Sequence, residues 1–95
     1  MLHLVSYDIP STKSGDRRRG RVAKYLEGIG LRVQRSVFEL DIDPQKLGGV
    51  IAGLAERIDE TEDSVRVYPL CGTCVSKVCR LGREAPLEGD AVMIW

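Results

Sequence analysis

An α+β domain, four antiparallel strands with two helices packed on one face, is the fold this sequence predicts. Three observations carry it. Residues alternate between two faces with a period of two over Leu2–Ile9 and again over Ser64–Leu70. Two stretches between them, ending near Gly30 and Ile58, carry apolar residues at helical spacing. A β-branched-rich extended segment separates those two stretches. With 95 residues the chain forms one domain and has a thin core.

In the first strand Leu2, Leu4, Ser6 and Asp8 share one face, and His3, Val5, Tyr7 and Ile9 the other. Pro10 ends it. Ser11–Gly15 is a loop with several possible N-caps. The helix that follows runs to about Gly30, with Val22, Tyr25, Leu26 and Ile29 as its apolar stripe, Asp16 in the turn that the helix dipole favours, and Gly30 as its stop. Leu31–Ile42 divides into a short strand over 31–34, a tight turn and a longer strand over 36–42. Asp43-Pro44 sets a capping residue before a proline at the first helical position. The second helix extends to about Ile58, with Leu47, Val50, Ile51, Leu54, Ala55 and Ile58 on one face. Gly48, Gly49 and Gly53 weaken it by up to about 1 kcal/mol each relative to alanine, so packing must compensate. An acidic loop, Asp59–Asp63, leads to the strand Ser64–Leu70. Cys71–Cys74 then turns the chain, Lys77–Leu81 reads as a further strand, Gly82–Asp90 as a loop and Ala91–Trp95 as a terminal strand.

The order β-α-β-β-α-β is the ferredoxin-like arrangement, here with an additional C-terminal strand. Residues 1–95 form a single domain with a core over about 1–83 and an extension over 84–95. The first strand is apolar on both faces, as Val5 and Leu4 show, and such a sheet needs a second cover. A sheet-face homodimer supplies it economically, and the extension suits the capping of an edge strand.

Composition narrows the class. Leu, Ile, Val and Phe make up 27 of 95 residues, above the range of disordered chains. No apolar run approaches the length of a membrane span. Met1–Asp8 lacks the basic start of a signal peptide, so the expected compartment is the cytoplasm. Fourteen basic and fourteen acidic residues cancel, which argues against a protein that coats nucleic acid by bulk charge. Their distribution is uneven. Residues 1–40 carry eight Lys/Arg against four Asp/Glu, and residues 41–63 carry two against seven. Arg17, Arg18, Arg19, Arg21 and Lys24 concentrate the positive charge in the first helix. Arg17, Arg21 and Lys24 share a face, while Arg18 leans towards the apolar stripe. The cluster is either a solvated helix face or a local patch for phosphate.

Asp8 is the first candidate for chemistry, because it ends a strand and feeds a flexible loop. Magnesium takes one or two carboxylates together with waters and substrate phosphate oxygens, so a lone Asp8 is a sparse site. A symmetric dimer would bring two copies together. The plain alternative is an aspartate that forms a turn or caps the helix. Cys71, Cys74 and Cys79 make a C-x₂-C-x₄-C cluster, one ligand short of a zinc site. A redox C-x-x-C normally lies between a strand and a helix start. Reduced thiols in a tight turn are the expectation here. His3, in the middle of a strand, reads as structural.

Tyr7-Asp8-Ile9, Arg21-Val22-Ala23-Lys24-Tyr25-Leu26, Gly30, Gln34-Arg35-Ser36-Val37-Phe38-Glu39 and Asp63-Ser64-Val65-Arg66-Val67-Tyr68-Pro69-Leu70, in that order and spacing, resemble the CRISPR-associated protein 2 family across roughly residues 2–83. The resemblance implies a ferredoxin-like homodimer with Mg²⁺-dependent nuclease activity on single-stranded RNA or double-stranded DNA. It implies that Asp8 and Tyr7 are the catalytic residues and that Asp8 binds the metal. It implies nucleic-acid contacts at Arg17, Arg19, Arg21 and Arg32, and a site-shaping role for Phe38. It also implies a place in spacer acquisition, as the central dimer that bridges the CRISPR-associated integrase, protein 1, and holds duplex prespacer DNA. Two other readings stand beside this one. One is a non-catalytic scaffold with a vestigial metal site, and the other a small sensing module that uses the cysteine turn.

Overall fold

The computed structural model describes residues 1–82. Its elements are β1 (Leu2–Asp8), α1 (Lys13–Glu27), β2 (Leu31–Gln34), β3 (Val37–Asp41), α2 (Pro44–Ala55), β4 (Ser64–Leu70) and α3 (Gly72–Ser76). The strands form one antiparallel sheet in the order β2-β3-β1-β4. This is the ferredoxin-like order. The expected terminal strand Ala91–Trp95 and the extension 84–95 lie outside the described residues. No helix among the described residues is long and apolar enough to cross a membrane.

Thr12 is the residue that caps α1. Its hydroxyl accepts the Gly15 amide at 2.9 Å, satisfying one of the amides that a helix start leaves without a partner. A Cβ on Gly15 would strike the Pro10 carbonyl and the Thr12 hydroxyl, so the loop after β1 lies flat across this first turn. The helix buries Val22, Ala23 and Leu26. It ends at Glu27, earlier than expected. The Ile29 and Gly30 amides both return to the Leu26 carbonyl, at 3.0 and 2.8 Å, and Ile29 is left exposed. Gly30 is therefore not the helix stop. A Cβ there would run into the Leu40 side chain and the Glu39 carbonyl, so glycine lets the chain pass close over β3.

Asp43 caps α2 through the Gln45 amide at 3.2 Å, with Pro44 at the first helical position. The helix buries Val50 and Leu54 but leaves Ile51 exposed, and it stops at Ala55 rather than Ile58. Gly53 has the compensating contact that the sequence demanded, because a Cβ would collide with the Tyr25 ring lying across it. Gly48 and Gly49 face open space.

Both helices cover one side of the sheet. There Val5, Tyr7, Phe38 and Leu40 meet Val22, Leu26, Val50 and Leu54. His3 is buried on this side with Nδ1 3.1 Å from the Met1 carbonyl oxygen. On the other side Leu2, Leu4 and Ser6 are half-buried and Tyr68 is exposed, so this face stays open in the single chain.

Two expectations near the end of β4 are corrected. Cys71–Cys74 is no simple turn, since Cys71 stands at the N-cap position of α3 and the Val75 amide returns to the Cys71 carbonyl at 2.9 Å. Lys77–Leu81 forms no strand. The short helix breaks the extended run, and the residues after it find no ladder partner among the described residues; Leu81 is 90% exposed.

Candidate active site

Asp8 is the last residue of β1, paired with Ser64 of β4. It shares the open face with Leu4 and Ser6, because successive strand residues point to opposite sides. Its side chain is exposed and makes no hydrogen bond or ion pair among the described residues. A carboxylate left free at a strand end is available to a ligand, whereas one that caps a helix is committed; Thr12 takes the capping role here.

Two consecutive arginines of α1 brace the surroundings of Asp8, one the chain that leaves it and the other the start of the neighbouring strand. Arg19 Nη2 donates to the carbonyls of Ile9 and Pro10, at 2.8 and 2.9 Å, and Nη1 pairs with Asp16 at 2.7 Å. This holds the chain that leaves Asp8. Arg18 grips Asp63 with two bonds, Nε to Oδ2 at 2.7 Å and Nη2 to Oδ1 at 3.0 Å. Asp63 directly precedes Ser64, the strand partner of Asp8, and also accepts the Asp59 amide at 2.8 Å. Its side chain is fully enclosed. A fork-shaped guanidinium suits this bidentate grip.

The bond from Arg18 holds the Asp63 carboxyl below its usual range. A carboxyl depressed in the folded state contributes stability above its unfolded value of about 3.9, and the contribution disappears as pH falls through the folded value. Asp59, lowered by its bonds from Thr61, acts in the same direction. Asp63→Asn is therefore expected to unfold at lower urea than wild type at pH 7. It is also expected to lose less resistance than wild type as pH drops below about 4. Parallel pH curves for the two proteins would show that the pair carries no such weight.

The other expected site residues separate into two groups. Tyr7 lies on the helix-facing side, opposite Asp8. Its hydroxyl donates to the Arg35 carbonyl at 3.3 Å, and its ring stacks on Phe38 with centroids 6.3 Å apart. The structure does not bring Tyr7 beside the carboxylate, and the two-residue period of the strand is the reason. Phe38 is fully buried, and the Arg32 guanidinium lies over its ring, 5.1 Å from the centroid. Arg32 also pairs with Glu27 at 3.7 Å, while its Nε is buried without a partner. Tyr7, Phe38 and Arg32 thus form one cluster behind the sheet.

Arg17 and Arg21 are exposed on α1. Arg21 and Lys24 line a groove of about 500 Å³ between the helices, with Tyr25, Glu56 and Arg57. Arg57 sits 4.1 Å above the Tyr25 ring centroid and donates to the Gly53 carbonyl at 2.7 Å. Three cations against one carboxylate make this the positive side of the helix layer. Arg57 was absent from the sequence reading, because it belongs to an acidic stretch and meets α1 only through the fold. Among the described residues no three or more His, Cys, Asp or Glu side chains are grouped to hold a metal, so Cys79 does not join Cys71 and Cys74 in a zinc site.

Residues 1–78 match the family described as CRISPR associated protein Cas2. The chain is 35% identical over 96 residues to the CRISPR-associated endonuclease Cas2 of Halalkalibacterium halodurans, covering all of both chains. It is 42% identical over 86 residues to a CRISPR-associated endoribonuclease Cas2 of a Synechocystis species, covering 90% of this chain and 88% of that one. Among solved structures it is similar to Streptococcus pyogenes Cas2 at pH 6.5, with a TM-score of 0.78 and 38% identity over 86% of this chain and all of that one. A hypothetical protein from Thermus thermophilus is similar with a TM-score of 0.75 and 37% identity, over 90% of this chain and 94% of that one.

Proposed function

The chain belongs to the CRISPR associated protein Cas2 family, and on that footing we propose that it is a Mg²⁺-dependent endonuclease that cuts phosphodiester bonds in single-stranded RNA or double-stranded DNA. Relatives named endonuclease and endoribonuclease support the class of reaction. The observation that carries the reading to a residue is Asp8, exposed, uncommitted and framed on both sides by arginines that spend their donors on the backbone and on Asp63.

The residues present fit a magnesium ion sparingly. One protomer offers one carboxylate, and Mg²⁺ accepts one or two together with waters and phosphate oxygens. Asp8 lies on the open, half-apolar face of the sheet, so a homodimer closed over that face would bring two copies of Asp8 towards each other. When bound, the ion neutralises charge on the scissile phosphate and acidifies a water. The chain itself orients Asp8: Arg19 pins the outgoing loop, Arg18 and Asp63 pin the neighbouring strand, and the Tyr7–Phe38 stack backs β1 from the other side. His3, the chain's one histidine, is buried at the far end of β1 and is no candidate base.

A second reading has its own observation. Arg21, Lys24 and Arg57 form a cationic groove on the helix layer, on the side of the sheet away from Asp8. It suits a protein that holds duplex DNA by its phosphates. In this reading the cytoplasmic homodimer is the central scaffold of spacer acquisition, bridging the CRISPR-associated integrase, protein 1. The test is cleavage of labelled single-stranded RNA and double-stranded DNA by wild type in Mg²⁺ and in EDTA. Cutting in Mg²⁺ that stops in EDTA is expected. Duplex DNA bound but uncut in both would overturn the nuclease and leave the scaffold.

A further inference from the structure

Three exposed cysteines stand outside the Asp8 site. Leu70 pairs with Leu2, whereas Ser64 pairs with Asp8. The cysteines therefore follow the end of the sheet about 20 Å from Asp8, at the rise per residue of a strand. The sequence alone set a condition for redox character in a C-x-x-C pair, which is a place between a strand and a helix start. The structure meets it. β4 ends at Leu70, Cys71 is the N-cap of α3 in extended conformation (φ −72°, ψ 167°), and Cys74 is the third residue of the helix.

Positions three apart on a helical turn are neighbours on one face, and the Cys71 side chain makes no capping bond that would commit it elsewhere. Cysteines at the N-cap and third positions therefore face each other. The bond from the Val75 amide to the Cys71 carbonyl closes the turn that holds them there. Cys79 lies beyond the helix and joins no cluster of metal-ligating groups among the described residues. The two facing thiols also differ. The Cys74 amide and thiol hold Cys71 below the usual thiol range, and the bond with Cys71 pushes Cys74 up. One sulfur is disposed to attack, and the other to keep its proton until it is needed.

We infer that Cys71 and Cys74 form a thiol–disulfide site that hydroperoxides oxidise, with Cys71 as the attacking sulfur and Cys74 as the resolving one. The Cys71 thiolate attacks an oxygen of hydrogen peroxide. The O–O bond breaks, hydroxide leaves, and Cys71 becomes a sulfenic acid. The Cys74 sulfur then attacks the Cys71 sulfur, the S–O bond breaks, and the Cys74 proton leaves with the oxygen as water. The hydroxide takes up the proton that Cys71 gave to solvent. Two thiols are oxidised by two electrons, and one peroxide is reduced to two waters. In a reducing compartment such a disulfide is transient.

The test uses the full chain, reduced and desalted, then exposed to equimolar hydrogen peroxide. Trypsin releases Val67–Lys77 with both cysteines and Val78–Arg80 with Cys79. The first peptide is expected to lose about 2 Da, reversibly with dithiothreitol, in wild type and in Cys79→Ser. Cys71→Ser is expected to show no such loss. Cys74→Ser is expected to stop at a Cys71 sulfenic acid, captured by dimedone. A disulfide that includes Cys79, a disulfide between chains, or a Val67–Lys77 peptide that stays at its reduced mass would overturn the site.

Discussion

Asp8→Ala is expected to lower Mg²⁺-dependent cleavage by at least about 100-fold, equivalent to about 2.7 kcal/mol of transition-state stabilisation, without unfolding the protein. The argument for an intact fold is local. The Asp8 side chain is exposed and touches no partner among the described residues, and the backbone there is held by pairing with Ser64 and by the Arg19 bonds to the next two carbonyls. Surface changes of this kind move the melting temperature by no more than about 4 °C. Asp8→Asn keeps the shape and removes the charge, so it is expected to fail as badly if the carboxylate's work is to hold a cation. Thermal melts and cleavage assays on the same preparations separate the outcomes. Full cutting by either variant would remove Asp8 from the reaction.

Phe38→Ala is expected to lose activity for a different reason. Phe38 is fully buried, stacks on Tyr7 and lies opposite Val5 in the ladder of β1 and β3. Truncating a core phenylalanine costs about 3–5 kcal/mol, combining lost transfer energy with a cavity. Total stability of a small domain is about 5–15 kcal/mol, so the variant is expected to lose a large share of it and to melt well below wild type. Phe38→Leu leaves a smaller void and should keep most of the fold. A denaturation midpoint for Phe38→Ala equal to wild type, together with lost cutting, would instead make Phe38 part of the site.

The elements legible in the sequence were those with a local signature. Ser64–Leu70 shows two-residue alternation between an acidic loop and a cysteine turn, and it is a strand over the same residues. Asp43-Pro44 names its helix start by cap chemistry alone. What escaped was through-space. Gly30 looked like a helix stop because that is the commonest use of such a glycine, but its reason is the approach of β3. Gly53 looked like a weakness until Tyr25 came to lie across it. α3 is too short for any periodicity to reveal it. At the site, Asp8 was legible as a strand-end carboxylate. The arginines that frame it were not, because their partners, Asp63 and two backbone carbonyls, carry no pattern that sequence can show.

Arg17, Arg18 and Arg19 look like one run of positive charge, yet each residue of a helix is turned about 100° from the last. Arg18 is paired with Asp63, Arg19 is held by Asp16 and two carbonyls, and Lys13 and Arg17 face solvent. A polyanion that settles on a surface displaces one condensed counterion for each phosphate it cedes to a free cation, and its affinity falls by about 0.9 decades per such contact for every tenfold rise in salt. The ionic footprint of α1 is therefore smaller than its count of Lys and Arg. It belongs to Lys13, Arg17, Arg21 and Lys24, while Arg18 and Arg19 between them are committed to contacts within the chain.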